Sequence, residues 1–362
     1  MTTQPAAFSD TYAEARAKFL AAATGTRLES HPEPLRGVEL EALAMDVARL
    51  GADDADALLI VSSGCHGVEG HAGSGAQVAM LRDATLRERA RQAGVALLFI
   101  HALNPWGFSF GRRVTHEGVD LNRNFIDFGR PPPGNPGYDQ LAACLLPERW
   151  PPDADNERAL MAYGASHGMA ALQSAVSGGQ YRHPDGLFYG GAAPTWSQQR
   201  LRMVLRQHAS ACRQLGWIDI HTGLGESGVG ERIFACRDDD TAKHRAKAWW
   251  GHRVTFTEDG SSTSAELHGN LWHAVYDECG QAAYAGITLE FGTQPQDIVL
   301  QALRYDHWVA RRRLPHDVHV ETARTAMRHA FYTPTPAWQA AVAAQAREAV
   351  VHAIDGMAGW RQ

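Results

Sequence analysis

The chain has 362 residues, of which 44% are hydrophobic and 20% charged, and its formal net charge is -6. Such a composition buries a large core, which excludes global disorder, and it carries no basic footprint for nucleic acid. No apolar run approaches the roughly 18 residues of a membrane span, and Met1–Asp10 lacks the basic start and apolar stretch of a signal peptide.

In chain order, residues 10–23 have helical spacing, with Tyr12, Ala15, Phe19 and Leu20 on one side and Asp10 as the expected N-cap. Residues 37–49 open with strand-like alternation and predict an edge strand or hairpin. Ala57–Ser62 reads as a strand apolar on both faces, a helix follows over 70–82, and Val95–Ala102 is a second buried strand. Asn104-Pro105-Trp106-Gly107 reads as a turn, and residues 129–152, rich in proline and glycine, as a long surface loop. Helices are expected over 155–173 and 195–214, buried strands over 215–220 and 286–291, and further helices over 296–313, 317–330 and 336–354. Continuous apolar strands alternating with helices predict a three-layer α/β/α fold with a mixed, mainly parallel sheet. Residues 1–362 read as one domain, with an inserted loop and helical region around 127–200 and C-terminal helices from about 296. The five cysteines form no paired motif, which fits a reduced, cytoplasmic setting.

In open α/β sheets, ligands gather beyond the carboxyl ends of the strands. Four polar residues fall there: His66 and Glu69 after the first buried strand, His221 after the third, and Glu290 at the end of the fourth. Two histidines and a carboxylate are a frequent ligand set for catalytic zinc, with a fourth position left to water. A further carboxylate can take a proton from that water. Singly, each residue has a plainer reading: His221 bonded to a backbone carbonyl, Glu290 in a salt bridge. Their coincidence at one edge carries the weight, because a charged group at a buried strand end is costly unless paired or metal-bound.

Asp120-Leu121-Asn122-Arg123-Asn124-Phe125 is a second polar cluster. An arginine guanidinium forks onto a carboxylate while an asparagine amide donates beside it, which suits a substrate with a free carboxylate. The plainer reading is a turn in which Asp120 or Asn122 caps backbone groups. His71, His101 and His116 read as polar groups near the motifs, and Cys65 as a buried small residue.

Together these motifs resemble those of the zinc carboxypeptidase (M14) superfamily of metallopeptidases. Ser63-Gly64-Cys65-His66-Gly67-Val68-Glu69-Gly70, followed by Gly73-Ser74-Gly75-Ala76-Gln77, is similar to its DUF2817 branch. The family order of His-x-x-Glu, an Asn-Pro-x-Gly turn, arginines, Asn-Arg, a second His and a late Glu recurs here between residues 60 and 292. The resemblance implies one zinc ion per chain held by His66, Glu69 and His221, with Glu290 as general base. It also implies that Asn122 and Arg123 bind the substrate's carboxylate, and that Arg112 or, preferably, Arg113 polarises the scissile carbonyl. Departures are present: Val68 stands where digestive-type enzymes carry arginine, and Asp219-Ile220-His221-Thr222 is closer to aspartoacylase and succinylglutamate desuccinylase. Tyr276 and Tyr284 are candidates for the family's gating tyrosine. Three functions follow as expectations: a carboxypeptidase-like peptidase acting on small peptides, an N-acyl amino acid amidohydrolase, or a non-catalytic metal-bearing binding protein. Neither nucleic acid nor membrane is an expected partner.

Overall fold

The computed structural model describes residues 7–312 and 318–359. The stretch Met1–Ala6, which bears on the signal-peptide reading, and residues 313 and 317 at two expected helix ends lie outside them. Eight strands form one mixed sheet: β1 (Arg27–Arg36), β2 (Ala42–Leu50), β3 (Ala57–Ser63), β4 (Val95–His101), β5 (Gln214–Ser227), β6 (Gly230–Phe234), β7 (Val254–Thr255) and β8 (Ala283–Gly292). Their order is β1-β2-β4-β3-β5-β8-β6-β7, and the central run β4-β3-β5-β8 is parallel. The hairpin β1–β2 adds to β4 antiparallel, and β6 pairs antiparallel with β8.

Successive side chains of a strand point to opposite faces, and the core divides accordingly. Leu59, Val61, Ile218, Ile220, Ile287 and Leu289 face one layer, which includes α2 (Gly70–Arg82), α3 (Ala84–Ala93) and the last helix, Pro336–Gly359. Leu58, Ile60, Leu98, Leu215 and Trp217 face the other, which includes Leu201, Val204 and Leu205 of the helix Trp196–His208. By the same alternation Asp219, His221, Thr288 and Glu290 point to this second face, and His221 and Glu290 are paired in register across β5 and β8. The candidate site therefore sits at one end of the sheet, on one face. No helix among the described residues is long and apolar enough to cross a membrane.

Several boundaries differ from the sequence reading, for local reasons. The first helix, α1 (Tyr12–Ala22), is capped by Thr11, not Asp10, because the Thr11 hydroxyl accepts the Glu14 N–H. Asn104-Pro105-Trp106-Gly107 opens the short helix α4 (Pro105–Phe110) instead of ending in a turn. The Asn104 side chain caps the Gly107 N–H, and proline is tolerated in a first helical turn, where its missing N–H has no partner to lose. Within the expected surface loop lies α5 (Pro136–Leu145), and the helix expected over 155–173 is two, α6 (Ala154–His167) and α7 (Met169–Ser177), broken at Gly168 with φ 92°. These helices share an apolar cluster with Val299 and Leu303 of a later helix, Gln296–Arg311. The strand β1, the pair β6–β7 and the helices Asp240–Trp250 and His273–Glu278 were not anticipated.

Candidate metal centre

The turn after β3 carries the first half of the site. His66 precedes a single 3-10 turn, Gly67–Glu69, which places both side chains on the same side. This turn is stapled from behind: the Gly67 and Val68 N–H groups donate to the carbonyls of Arg113 (3.1 Å) and Arg112 (2.9 Å). A Cβ at position 67 would lie 2.0 Å from the Gly107 carbonyl carbon, so α4 packs this closely only against glycine.

The second half comes from β5 and β8. His221 Nδ1 lies 3.2 Å from His66 Nδ1 and 3.1 Å from a Glu69 oxygen, and His66 Nδ1 lies 2.8 Å from the other Glu69 oxygen. In a tetrahedral site with bonds of roughly 2.0–2.2 Å, neighbouring ligand atoms stand about 3.3 Å apart. The edge between the two Nδ1 atoms is close to that spacing, Glu69 turns one oxygen to each ring, and one ligand atom from each residue lies within 4.8 Å of the other two, so the donor set fits a zinc-sized ion. Each ring also turns its Nε2 to a carboxylate, His66 to Asp120 at 3.2 Å and His221 to Asp219. Carboxylates behind ligating imidazoles fix the tautomer and raise ligand basicity.

Burial alone would raise the Glu69 carboxyl, but the two imidazoles beside it overcome that and hold it well below the usual range. His221 is held well above its ordinary value; burial opposes this, and Asp219 with Glu69 prevails. For Glu290 nothing prevails: burial, then the charge on Glu69, pushes its carboxyl up to about 8. A carboxylate with this upward shift is poised to exchange protons near neutrality. One Glu290 oxygen accepts the Leu224 N–H at 3.0 Å.

Arg113 reaches the same centre. Its Nε donates to Asp120 at 2.9 Å and its Nη1 to Glu69 at 3.2 Å. Arg112 does not: it turns away and grips Asp306 with Nε and Nη2, at 3.0 and 2.8 Å. Arg113, and not Arg112, lines a cavity of about 2100 Å³ shared by His66, Glu69, His221, Glu290, Asn122 and Arg123.

Asn122 and Arg123 form the cavity's polar corner. Asn122 Oδ1 accepts the Leu271 N–H at 2.9 Å, which leaves its amide nitrogen as a donor. Arg123 spends Nε and one Nη2 hydrogen on the Ser177 carbonyl and one Nη1 hydrogen on the Asn122 carbonyl. Of its five N–H groups two remain, one on each terminal nitrogen, the pair that forks onto a carboxylate.

The other groups named from sequence lie elsewhere. His71 bonds the Ser9 carbonyl, His101 bonds Ser74, and His116 sits between Glu33 and Glu117. Burial, with Asp219 and other carboxylates behind it, pushes the Cys65 thiol far up, so it is not a nucleophile. The Tyr276 hydroxyl accepts from Arg237 N and the Tyr284 hydroxyl donates to the Ala235 carbonyl; neither residue lines the cavity. The role of Asp219 was missed, although standing two residues before His221 on a strand places both on one face. Asp120 was noticed only as a cap, which it also is, accepting the Asn122 N–H at 3.0 Å.

No curated protein matches the chain. Among solved structures it is similar to thrombin activatable fibrinolysis inhibitor, at 12% identity and TM-score 0.53, covering 99% of this chain and 76% of that one. Carboxypeptidase A from Helicoverpa armigera matches at 13% identity and TM-score 0.44, covering 89% and 74%. Murein-tripeptide amidase from Escherichia coli O157 matches at 16% and 0.37, covering 82% and 97%. At such identities the likeness is one of fold, and the sheet with helices on both sides is similar to the carboxypeptidase fold. Residues 8–345 match the family described as protein of unknown function (DUF2817), and the chain belongs to that family.

Proposed function

We propose that this chain is a zinc-dependent hydrolase that cleaves an amide bond in a substrate bearing a free carboxylate, as a carboxypeptidase-like metallopeptidase. The observation that carries the reading is the convergence of His66, Glu69 and His221, two of them backed by carboxylates, with Glu290 and Arg113 in one cavity. An ion held by those three residues would polarise the scissile carbonyl and acidify water. Glu290, with its raised affinity for protons, accepts one from that water and returns it to the leaving nitrogen. Arg113, fixed by Asp120 and Glu69, faces the oxygen on which charge develops. Asn122 and Arg123 hold the substrate's carboxylate and so set its register.

One observation favours a second reading, an N-acyl amino acid amidohydrolase. Among the described residues no tyrosine lines the cavity, so a gating phenol of the peptidase kind has no source there. The test offers the zinc-loaded protein short peptides with free or blocked C-termini beside a panel of N-acyl amino acids. Trimming of free-ended peptides supports the first reading, and release of acyl groups alone replaces it with the second. The variant Glu290→Gln should keep its zinc and lose about 100-fold or more in turnover; unchanged turnover removes the mechanism, and zinc uptake without turnover on any substrate leaves a metal-bearing binding protein.

A further inference from the structure

The cavity is much larger than the catalytic groups require. Pockets for small ligands span roughly 300–1,000 Å³, whereas this one is about 2100 Å³. Polar groups line it at the metal centre, at Asn122–Arg123 and elsewhere, among them Arg130, Arg202, Asp238 and Glu258. One wall is largely apolar, made by Leu160 and Met161 of α6, Met169 and Leu172 of α7, and Val299 and Leu300 of the helix Gln296–Arg311, although Gln173, Gln296, Asp297 and Gln301 of these helices line the cavity too. Met161 and Met169 are each 62% exposed, an unusual position for large apolar side chains, and both border the cavity. Methionine is flexible and polarizable, and surfaces built from it adapt to apolar ligands of varied shape. Glu157, at the edge of this wall, is already paired with the Arg304 guanidinium at 2.7 Å, so it adds no free charge.

The wall is continuous with the polar corner. The helix α7 ends at Ser177, whose carbonyl takes two N–H groups of Arg123, and Val176 lines the cavity one residue earlier. Val299 and Leu303 also share an apolar cluster with Val68 of the turn that carries His66 and Glu69, so an occupant with its carboxylate at Arg123 and its amide at the metal centre meets apolar surface beyond the amide as well as along α7.

We propose that this wall binds a long alkyl chain of the substrate, so that the amide cleaved belongs to an amphipathic molecule of the N-(long-chain acyl) amino acid class. The proposal rests on the second reading above, the N-acyl amino acid amidohydrolase, for its amide and its carboxylate, and adds the chain. A fully buried methylene contributes ~0.8 kcal/mol, about fourfold in affinity. A wall open on one side supplies about half of that area, or about twofold per methylene.

The test is calorimetric binding of N-acetyl, N-butanoyl, N-hexanoyl and N-octanoyl derivatives of one amino acid to the zinc-loaded Glu290→Gln protein. The octanoyl compound, six methylenes longer than the acetyl, should bind roughly 60-fold more tightly. The double variant Met161→Asp/Met169→Asp should flatten that dependence, while Leu40→Asp, an equally surface-tolerant change at a 79% exposed residue of the β1–β2 hairpin, should not. Affinity independent of chain length in the parent protein overturns the proposal, and so does a dependence that survives the double variant. Size-exclusion chromatography of both forms is read alongside: a dimer broken by the double variant, with the length dependence intact, assigns the wall to a second copy of the chain instead. Turnover by the Glu290 protein separates the two claims. Length-dependent binding without cleavage of these compounds sinks the amidohydrolase reading and keeps the wall, whereas cleavage at rates and affinities blind to length does the reverse.

Discussion

Replacing Asp120 with Asn tests the core of the site, because this one carboxylate serves both the metal half and the arginine half. Its side chain is fully buried and lies 3.2 Å from His66 Nε2, 2.9 Å from Arg113 Nε and 3.9 Å from Arg123 Nη1. Burial opposes its ionisation, but Arg113, Arg123 and His66 hold the carboxyl well below the usual range, so the charge is present at neutral pH. Asn keeps the shape and one oxygen for the Asn122 N–H, yet removes the charge. Loss of a carboxylate behind a ligating imidazole costs about 10–100-fold in metal affinity, which is about 1.4–2.8 kcal/mol. Breaking a buried ion pair costs about 3–5 kcal/mol of stability; Arg113 retains Glu69 at 3.2 Å, so the lower figure, about 3 kcal/mol, applies. Asp219→Asn is the comparison: it removes the carboxylate behind His221, which in the metal-free protein is the buried partner of that imidazole, so metal affinity falls alike while the contacts of Arg113 stay intact. Zinc competition with a chromophoric chelator and denaturant unfolding of the metal-free protein read the two effects apart. Should Asp120→Asn lose stability while binding zinc as tightly as the parent, His66 is not a ligand and the donor set is wrong.

The two adjacent arginines should separate by assay. Arg113→Ala is expected to cut turnover by about 100-fold or more, as loss of an oxyanion donor does, whereas Arg112→Ala strands the buried Asp306 and should cost on the order of 3 kcal/mol of stability, read by urea unfolding. Acid should destabilise the fold through His71 and His101. Burial lowers each from 6.5 to about 4, so both are neutral when folded, and the unfolded chain takes up their protons first as pH falls from 6.5 to 4. His101→Phe should therefore lose about 2 kcal/mol less than the parent between pH 7 and pH 4.5; parallel stability–pH curves would show that His101 is protonated in the fold.

The sheet and one end of the site were legible because both depend on local pattern. The strands β3, β4, β5 and β8 are apolar on both faces, and such runs mark themselves whatever surrounds them. The strand β1 was invisible for the opposite reason: Arg27–Arg36 holds two prolines and is largely exposed, and it is a strand only because β2 lies beside it. The break between α6 and α7 was hidden in Gly168, a residue that interrupts some helical patterns and passes unnoticed in others.

Within the site, the residues legible from sequence were those whose chemistry is rare at a strand end; those missed do ordinary chemistry in a particular place. Aspartate is common in turns, and nothing local distinguishes Asp120 from a cap, since the contact that gives it a second role spans 54 positions to His66. Arg112 and Arg113 are indistinguishable in sequence, yet their carbonyls hold neighbouring residues of the turn that carries His66 and Glu69 while their side chains diverge to Asp306 and Asp120. That divergence is made where the chain, outside any helix or strand, bends at Arg113 and Val114. One arginine of such a pair can therefore serve the cavity only if its neighbour has a partner on the far side, and Asp306 is that partner. The pair is thus a single device: the part-buried Arg112–Asp306 contact anchors the segment whose carbonyls position the turn before Glu69 and whose next side chain, Arg113, enters the cavity.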